Sequence, residues 1–587
     1  MSWLPDQSHR TEVGRHSQFR GVDRPLRPEA RSGGLTLFLA TRGLAFLAVP
    51  AAYLLLGLLN YSQSGKSAAL GLPLLLAAGA WCAGHPRSRS RGWSWPEIVV
   101  AAPFFTLLAM EAFLRDYFGV AHRDEIVVEA LFNTYAGEAF EFVLQNIPGV
   151  AKYLAMLALS LLLYGLLLRF GNRFLPSAAP ADLRGAGGRP AAETGAWRRP
   201  VVLPLLFLAF FLLLHLNPTL RQDDPLLYFP VRYLDWSREV EATRKLQERL
   251  VANDTDPAMA SIRYVGERPR TVVFVLGEST TRLNWSLYGY PRTTNPELAA
   301  LGKELVRFED VVTGYPGTSG ALRLLLTPAD LSHPDLWETK PDLLTMARKA
   351  GYKTFWISNQ GGRTGLPYVL ASHADVTEFT NVGGSRSEGS YDEVLLDPFG
   401  AALSDPAPRK FIILHLLGAH PAFHFRYPKS FSRFDGADDE VSRDLKRKGR
   451  SFWAVWQRNE YDDAMLYGDH LLRVTIELCR KQTGEAIAWL FTPDHGEDVA
   501  HYTDFVGHNH RVRAMWEVPL IFWRSKAFPP GEMPPEEAAR RPAQTDTLDH
   551  TLLGLLAIRG AFYDPRRDLL SRAFEPVPRV VAGVPYP

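Results

Sequence analysis

The sequence predicts a chain in two parts. An N-terminal domain of five transmembrane helices is followed by a C-terminal α/β domain, its mainly parallel sheet covered by helices on both faces. Three observations predict this. Apolar blocks dominate the chain up to about residue 217. Beyond that point, strand-like and helix-like stretches alternate. The strand-like stretches end in carboxylates, histidines and amides, and open α/β sheets gather their chemistry at that edge.

At 587 residues the chain is too long for one domain. A formal net charge of +2 excludes general attraction to nucleic acid. The mean hydropathy of −0.10 averages two unlike halves. Of the two cysteines, Cys82 falls in an apolar block and Cys479 in the globular half, so a disulfide between them is not expected.

The apolar blocks are Leu35–Leu59, Ala68–Ala83, Ile98–Leu114, Tyr153–Leu168 and Val201–Leu216. A bilayer-spanning helix needs about 20 residues, so several blocks are short. Five in succession, separated by arginine-rich or polar loops, nonetheless point to a membrane domain over residues 35–217. A cleavable signal peptide is not expected, because a long polar leader, residues 1–34, precedes the first block.

Arginines set the orientation. The leader holds Arg10, Arg15, Arg20 and Arg24, the next loop on that side Arg87, Arg89 and Arg91, and the loop before block five Arg173, Arg184, Arg189, Arg198 and Arg199. The first loop on the other side has only Lys66. The positive-inside rule places the leader in the cytoplasm and everything after Leu216 outside. Arg42 lies near the cytoplasmic end of block one, where snorkelling is expected. The segment DEIVVEALFNTYAGEAFEFVLQNI has helical periodicity, with acids at Glu138 and Glu141, and is expected at the outer membrane surface.

After block five, DWSREVEATRKLQERL predicts a linking helix within residues 218–250, ahead of a globular domain over 251–587. Candidate strands are Thr271–Leu276, Val306–Val312, Tyr352–Ile357, Phe411–Leu416, Ala486–Phe491 and Val518–Trp523. Asp342–Ala350 and Tyr461–Leu478 read as helices. Strand Thr271–Leu276 runs into Gly277-Glu278-Ser279. A helix cap accounts for those residues as well as a metal ligand does. The later strand ends tip the balance: Asn359-Gln360, His415 and His420, Asp494-His495-Gly496-Glu497, then His508 and His510. Oxygen and nitrogen donors of this kind suit a zinc-like ion.

The motifs GESTTRLNWSLYGYPRTTNP, LHLLGAHPAFHFRYP, YDDAMLYGDHLL and TPDHGED resemble those of the phosphoethanolamine transferases of Gram-negative bacteria, in the alkaline phosphatase and sulfatase superfamily. The resemblance covers nearly the whole length. It implies that Glu278, Asp494 and His495 hold a catalytic Zn2+, with room left for a second ion. It implies that the nucleophile is Thr318, in VVTGYPGTSGALRLLLTPAD. A bland reading of Thr318 or Ser319 is the N-cap of a helix from Ala321. His420 and His508 would contact the phosphoryl group or a second zinc. Asn359, and Thr134 and Glu138 in NTYAGEAFEF, would bind substrate. The pattern leaves His508 and His510 both open as ligands.

The implied reaction moves phosphoethanolamine from phosphatidylethanolamine, through a phosphothreonine, to lipid A or a core sugar of lipopolysaccharide. Many lipid A-modifying members of that family staple the outer domain with several disulfides, and the lack of a partner for Cys479 points toward the cysteine-poor members acting on core sugars or periplasmic glucans. Phosphoglycerol transfer and sulfatase-like hydrolysis are the neighbouring chemistries. For a sulfatase, Ser319 lacks the flanking proline and arginine pattern. A non-enzymatic membrane sensor is the rival of another class. The expected setting is the bacterial inner membrane, as a monomer with its catalytic domain in the periplasm.

Overall fold

A computed structural model describes residues 29–58, 61–84, 95–118, 120–124, 127–128, 131, 136–174, 199–252, 257–361, 365–381, 391–530 and 535–587. The N-terminal half is helical: α1 Glu29–Leu55, α2 Tyr61–Gly84, α3 Trp95–Phe113, α4 Ala136–Gln145, α5 Ile147–Phe174 and α6 Arg199–Leu214. Two stretches, Pro96–Asp116 and Ile147–Gly171, are long and apolar enough to cross a bilayer by themselves. Leu39–Leu55, Leu70–Cys82 and Val201–Leu214 are apolar but shorter. All five apolar blocks are therefore helical, while two reach spanning length on this measure.

Inside the bundle, Phe46 stacks on Phe105 and meets Tyr164 edge-on. Leucines such as Leu44, Leu55, Leu159 and Leu213 point outward. Arg42 departs from expectation. It does not snorkel; it is buried, and its Nε donates to Glu97 Oε1 at 3.1 Å. A charge facing an apolar core needs a counter-charge, and α3 supplies one.

The linking segment forms one long helix. Helix α7, Pro225–Ala252, begins on a proline, whose missing amide costs nothing at a helix start.

The outer domain is built on a seven-stranded sheet. Its strands are β1 Thr271–Gly277, β2 Val306–Phe308, β3 Lys353–Ser358, β4 Val376–Phe379, β5 Lys410–His415, β6 Ile487–Pro493 and β7 Leu520–Arg524, in the spatial order β2-β7-β6-β1-β5-β3-β4. Strands β6, β1, β5, β3 and β4 are mutually parallel. Strand β7 is antiparallel to both its neighbours, so the sheet is mixed. The cause is local: the chain returns from the C-terminal end of β6 without a crossover helix, and a parallel strand needs such a crossover. Val306–Val312 splits at Glu309-Asp310, and Val311–Val312 pairs instead with Ala543–Gln544. β4 escapes sequence reading because its residues are mostly exposed and lack an apolar face.

Both faces are covered. Val272, Phe274 and Leu276 of β1 pack on one side with helix α9, Leu343–Lys349. Val273 and Val275 pack on the other with helix α11, Phe452–Lys481. Helix α8, Thr318–Leu326, lies between β2 and β3 in the chain, and α10, Gly365–Ala371, connects β3 to β4. The Tyr-Gly-Tyr-Pro-Arg motif is tied to α11 by a buried network. Arg292 bonds Asp462 at 2.7 Å, Asp439 at 2.7 Å and Asn459 at 2.8 Å. Asp462 also accepts from Asn284 and from Tyr290, each at 2.6 Å.

Two predictions follow from this architecture. A reporter active only outside the membrane should work when fused after Pro587 and fail in the loop at Arg184; the reverse pattern would invert the assigned orientation. Arg292→Ala strands the fully buried Asp462 and should destabilise the outer domain by about 3–5 kcal/mol in urea denaturation. Asp439→Asn removes the half-exposed arm of the same network and should cost about 1 kcal/mol or less.

Candidate metal and nucleophile site

The site grows from two adjacent parallel strands that stay bonded past their ends. Beyond β1 and β6, the Asp494 amide donates to the Gly277 carbonyl at 3.1 Å and the Thr280 amide to the His495 carbonyl at 2.8 Å. Glu278 is thereby set against Asp494 and His495. The turn demands an unusual backbone: Ser279 has φ 51°, a left-handed conformation costing an L-residue about 1–2 kcal/mol. Its polar groups are all held. The Ser279 amide donates to Asp494 Oδ1 at 3.2 Å and its hydroxyl to Glu278 Oε1 at 2.8 Å. Tyr461 of α11 donates its hydroxyl to the Ser279 carbonyl at 2.8 Å and accepts the Thr281 amide at 2.9 Å.

On the other side of β1, the chain after β5 closes against Glu278. The Ala419 amide donates to the Glu278 carbonyl at 3.1 Å. Gly418 has φ 54°, and a Cβ there would lie 2.8 Å from the Glu278 carbonyl oxygen, so this approach requires glycine.

Three buried donors meet at the centre. His495 Nε2 lies 3.5 Å from Glu278 Oε1 and 3.5 Å from Asp494 Oδ2. His495 Nδ1 sits 2.8 Å from the Gly496 carbonyl, which fixes its proton there and leaves Nε2 with a bare lone pair. Nε2 and Asp494 Oδ2 are buried without a hydrogen bond. A lone pair facing two carboxylates is repulsive unless a cation sits among them. Burial pushes the Glu278 carboxyl up to about 7, with Asp494 adding to the rise, and burial pushes Asp494 up to about 6. The residues fit a divalent metal: two anionic oxygens and an imidazole nitrogen with its other nitrogen already bonded, as ligating histidines are held.

Thr318 reaches the same carboxylate. Its hydroxyl donates to Glu278 Oε2 at 3.3 Å. Gly317 is the N-cap of α8, so the helix starts three residues earlier than Ala321, and neither Thr318 nor Ser319 serves as its cap. Thr318 is half-buried, accessible over a floor of buried ligands.

A second group adjoins the first. His495, Glu497 and His508 offer ligand atoms within 4.8 Å of one another. His508 Nδ1 lies 3.1 Å from Glu497 Oε2, and its ring centroid 4.8 Å from that of His495. Burial would lower the His508 pKa, but Glu497, Glu278 and Asp494 together raise it to about 9. His510 is pushed down to about 3 by burial and by the nearby His508 and His495. Of the two candidate histidines, His508 is therefore the one paired with a carboxylate of the cluster.

His420 is half-buried and follows the Ala419 amide that holds Glu278. Asn359 differs from expectation. It is buried, donating to Asp392 Oδ1 at 2.9 Å and accepting from Thr380 at 3.1 Å. Asp392 in turn takes the amides of Leu417 and Gly418, each at 2.8 Å, so Asn359 supports the loop of His420. Its neighbour Gln360 makes the contact instead, donating to Glu278 Oε2 at 3.3 Å. Thr134 lies outside the described residues, as does the side chain of Glu138 on α4. Tyr461 carries no sequence signal as a site residue, while Gln360 and Glu497 stand among the strand-end donors without an assigned role. Glu497 lies two residues beyond His495 in the Asp-His-Gly-Glu run.

The chain matches the family described as Sulfatase over residues 270–558. It is 35% identical over 372 residues to phosphoethanolamine transferase EptC of Escherichia coli K12, a match covering 61% of this chain and 62% of that protein. Phosphoethanolamine transferase CptA of Salmonella typhimurium is 36% identical over the same shares. These matches span less than two thirds of the curated relatives' length. The crystal structure of the C-terminal periplasmic domain of Escherichia coli EptC in complex with Zn is 35% identical, with TM-score 0.51, covering 54% of this chain and 90% of that one. The integral membrane lipooligosaccharide phosphoethanolamine transferase A of Neisseria meningitidis, 18% identical, shares the fold over 92% of this chain and 98% of its own, with TM-score 0.55. The chain belongs to the phosphoethanolamine transferase family of the alkaline phosphatase and sulfatase superfamily.

Proposed function

We propose that this protein transfers phosphoethanolamine from phosphatidylethanolamine to lipid A or a core sugar of lipopolysaccharide, through a covalent intermediate on Thr318. The observation that carries the reading is the Thr318 hydroxyl, accessible at the N-terminus of α8 and 3.3 Å from buried Glu278. The relatives near 35% identity, both named phosphoethanolamine transferases, support the transferred group. The setting proposed with it is a monomer in the bacterial inner membrane, with five spans and residues 251–587 in the periplasm.

A zinc ion held by Glu278, Asp494 and His495, with Thr318 beside it, would polarise a phosphoryl oxygen and lower the pKa of a bound hydroxyl. Thr318 Oγ1 attacks phosphorus, and the bond from phosphorus to the diacylglycerol oxygen breaks. The free amides of the first turn of α8 favour the phosphoryl charge. His508, held cationic by Glu497, suits the delivery of a proton to the leaving oxygen. As a ligand of a second ion it would have to be neutral, so the two roles exclude each other at one moment. His420, which follows the Ala419 amide bonded to Glu278, is proposed to contact the phosphoryl group. The acceptor hydroxyl or phosphate then attacks the same phosphorus and releases Thr318. Thr134 and Glu138 are proposed to hold the lipid at the membrane surface.

The outer domain from about Ser237 to Pro587 should purify with at least one zinc. A Glu278→Ala, Asp494→Ala double variant should lose it by elemental analysis; full zinc in that variant would refute the ligand set. Thr318→Ala should abolish transfer while leaving zinc content and melting temperature near wild type, and Thr318→Ser should keep part of the activity. Incubation with phosphatidylethanolamine and no acceptor should yield a phosphoethanolamine adduct on the Thr318 peptide; an adduct on Ser319 instead would move the nucleophile.

A further inference from the structure

A polar cleft lies beside the hairpin that joins Glu497 to His508. It is a cavity of about 230 Å³ between the helix Glu440–Arg447, Tyr290 and the loop at Ala500-His501. That volume falls below the ~300 Å³ at which whole-ligand pockets begin, so it suits one small group. Arg458 of α11 lines it and is 4% exposed. Its Nε donates to the Val499 carbonyl at 2.5 Å and its Nη1 to the Tyr290 hydroxyl oxygen at 3.5 Å. Its Nη2 is buried and makes no hydrogen bond. A buried guanidinium nitrogen without an acceptor is costly.

The lining leaves positive charge to be met. Arg447 and Lys448 stand at the mouth, and both share Asp444, at 3.3 Å and 2.6 Å. Glu440 is exposed on the first turn of its helix. His501 adds no charge: its Nδ1 accepts the Val499 amide at 3.3 Å, so its proton sits on Nε2, which donates to Asn284 Oδ1 at 2.8 Å. Burial, then the charges of Arg458 and Lys448, hold its pKa well below the usual range. Three cations thus line the cleft with two carboxylates, while buried Asp462 and Asp498 face the Arg458 charge from outside the lining and leave its Nη2 without an acceptor.

We propose that this cleft is a second ligand site, binding an oxyanion of the phosphate class through Arg458 Nη2 and Lys448. A tetrahedral oxyanion offers acceptors to a guanidinium edge and to a flexible ammonium at once. Its occupant would brace the catalytic edge. The cleft is floored by the hairpin in which Asp498–Val499 pairs with Val506–Gly507. Glu497 precedes that hairpin, His508 follows it, and Arg458 already grips it at Val499. The proposal holds whichever group the enzyme transfers.

Hydrogen–deuterium exchange of the full-length protein in detergent tests it, with millimolar inorganic phosphate in one arm and a hexose monophosphate in the other. Exchange in residues 498–507 should slow on addition. Lys448→Ala should need about fivefold more ligand for the same protection, the scale of one partly screened charge. Asp444→Asn, which frees Lys448, should need less. Arg458→Gln should abolish the response, and the two other variants decide the matter if it does not fold. Protection by both probes assigns the site to phosphate itself, and protection by the sugar phosphate alone assigns it to phosphate carried on a sugar. No protection by either, or equal protection in Lys448→Ala and wild type from phosphate bound at the metal centre, overturns the proposal.

Discussion

The outer domain depends on the continuation of β1 and β6 beyond their ladder. Two backbone bonds, Asp494 to Gly277 and Thr280 to His495, set Glu278, Asp494 and His495 within 3.5 Å steps of one another. Nothing about those three side chains favours the arrangement by itself. Two buried carboxylates repel, and the imidazole presents a lone pair rather than a proton. The hydrophobic sheet and the left-handed turn at Ser279 impose the geometry, and the domain's stability elsewhere must offset it. A metal is the natural counter-charge for two buried carboxylates and an imidazole lone pair.

The fold was legible where burial wrote a pattern. β1, β5 and β6 are continuous apolar runs because both their faces are covered, with α9 on the Phe274 side of β1 and α11 on the Val275 side. β4 was illegible because it is a short, exposed edge. The direction of β7 was illegible for another reason. Residue composition reports burial, and β7 is nearly as buried as the parallel strands of the sheet; only the absence of a crossover helix before it reveals the reversal.

At the site, the ligand residues were legible because their types are rare together at strand ends. The supporting residues were not. Asn359 and Gln360 are adjacent, and strand alternation sends one inward to Asp392 and the other to Glu278. A slip of one residue exchanges those roles, so sequence pattern alone could not choose between them. In the membrane half, Arg42 illustrates the same limit. Its position in block one is plain, but its partner Glu97 lies 55 residues on, and no local pattern joins them.

Helix α11 connects the remaining parts. Arg458, Tyr461 and Asp462 lie at spacings of three and four residues, so they project from neighbouring positions on one face. Tyr461 braces the strained turn at Ser279, Asp462 receives Arg292 from the motif after that turn, and Arg458 holds the hairpin between Glu497 and His508. One rigid 30-residue element thus sets the backbone on both sides of the metal ligands. A shift of α11 would disturb the β1 turn and the His508 hairpin together, because both hang on residues within a single helical turn. This is a physical reason for a run as polar as Arg-Asn-Glu-Tyr-Asp-Asp to be buried: each charge is spent on a loop that the sheet alone leaves free.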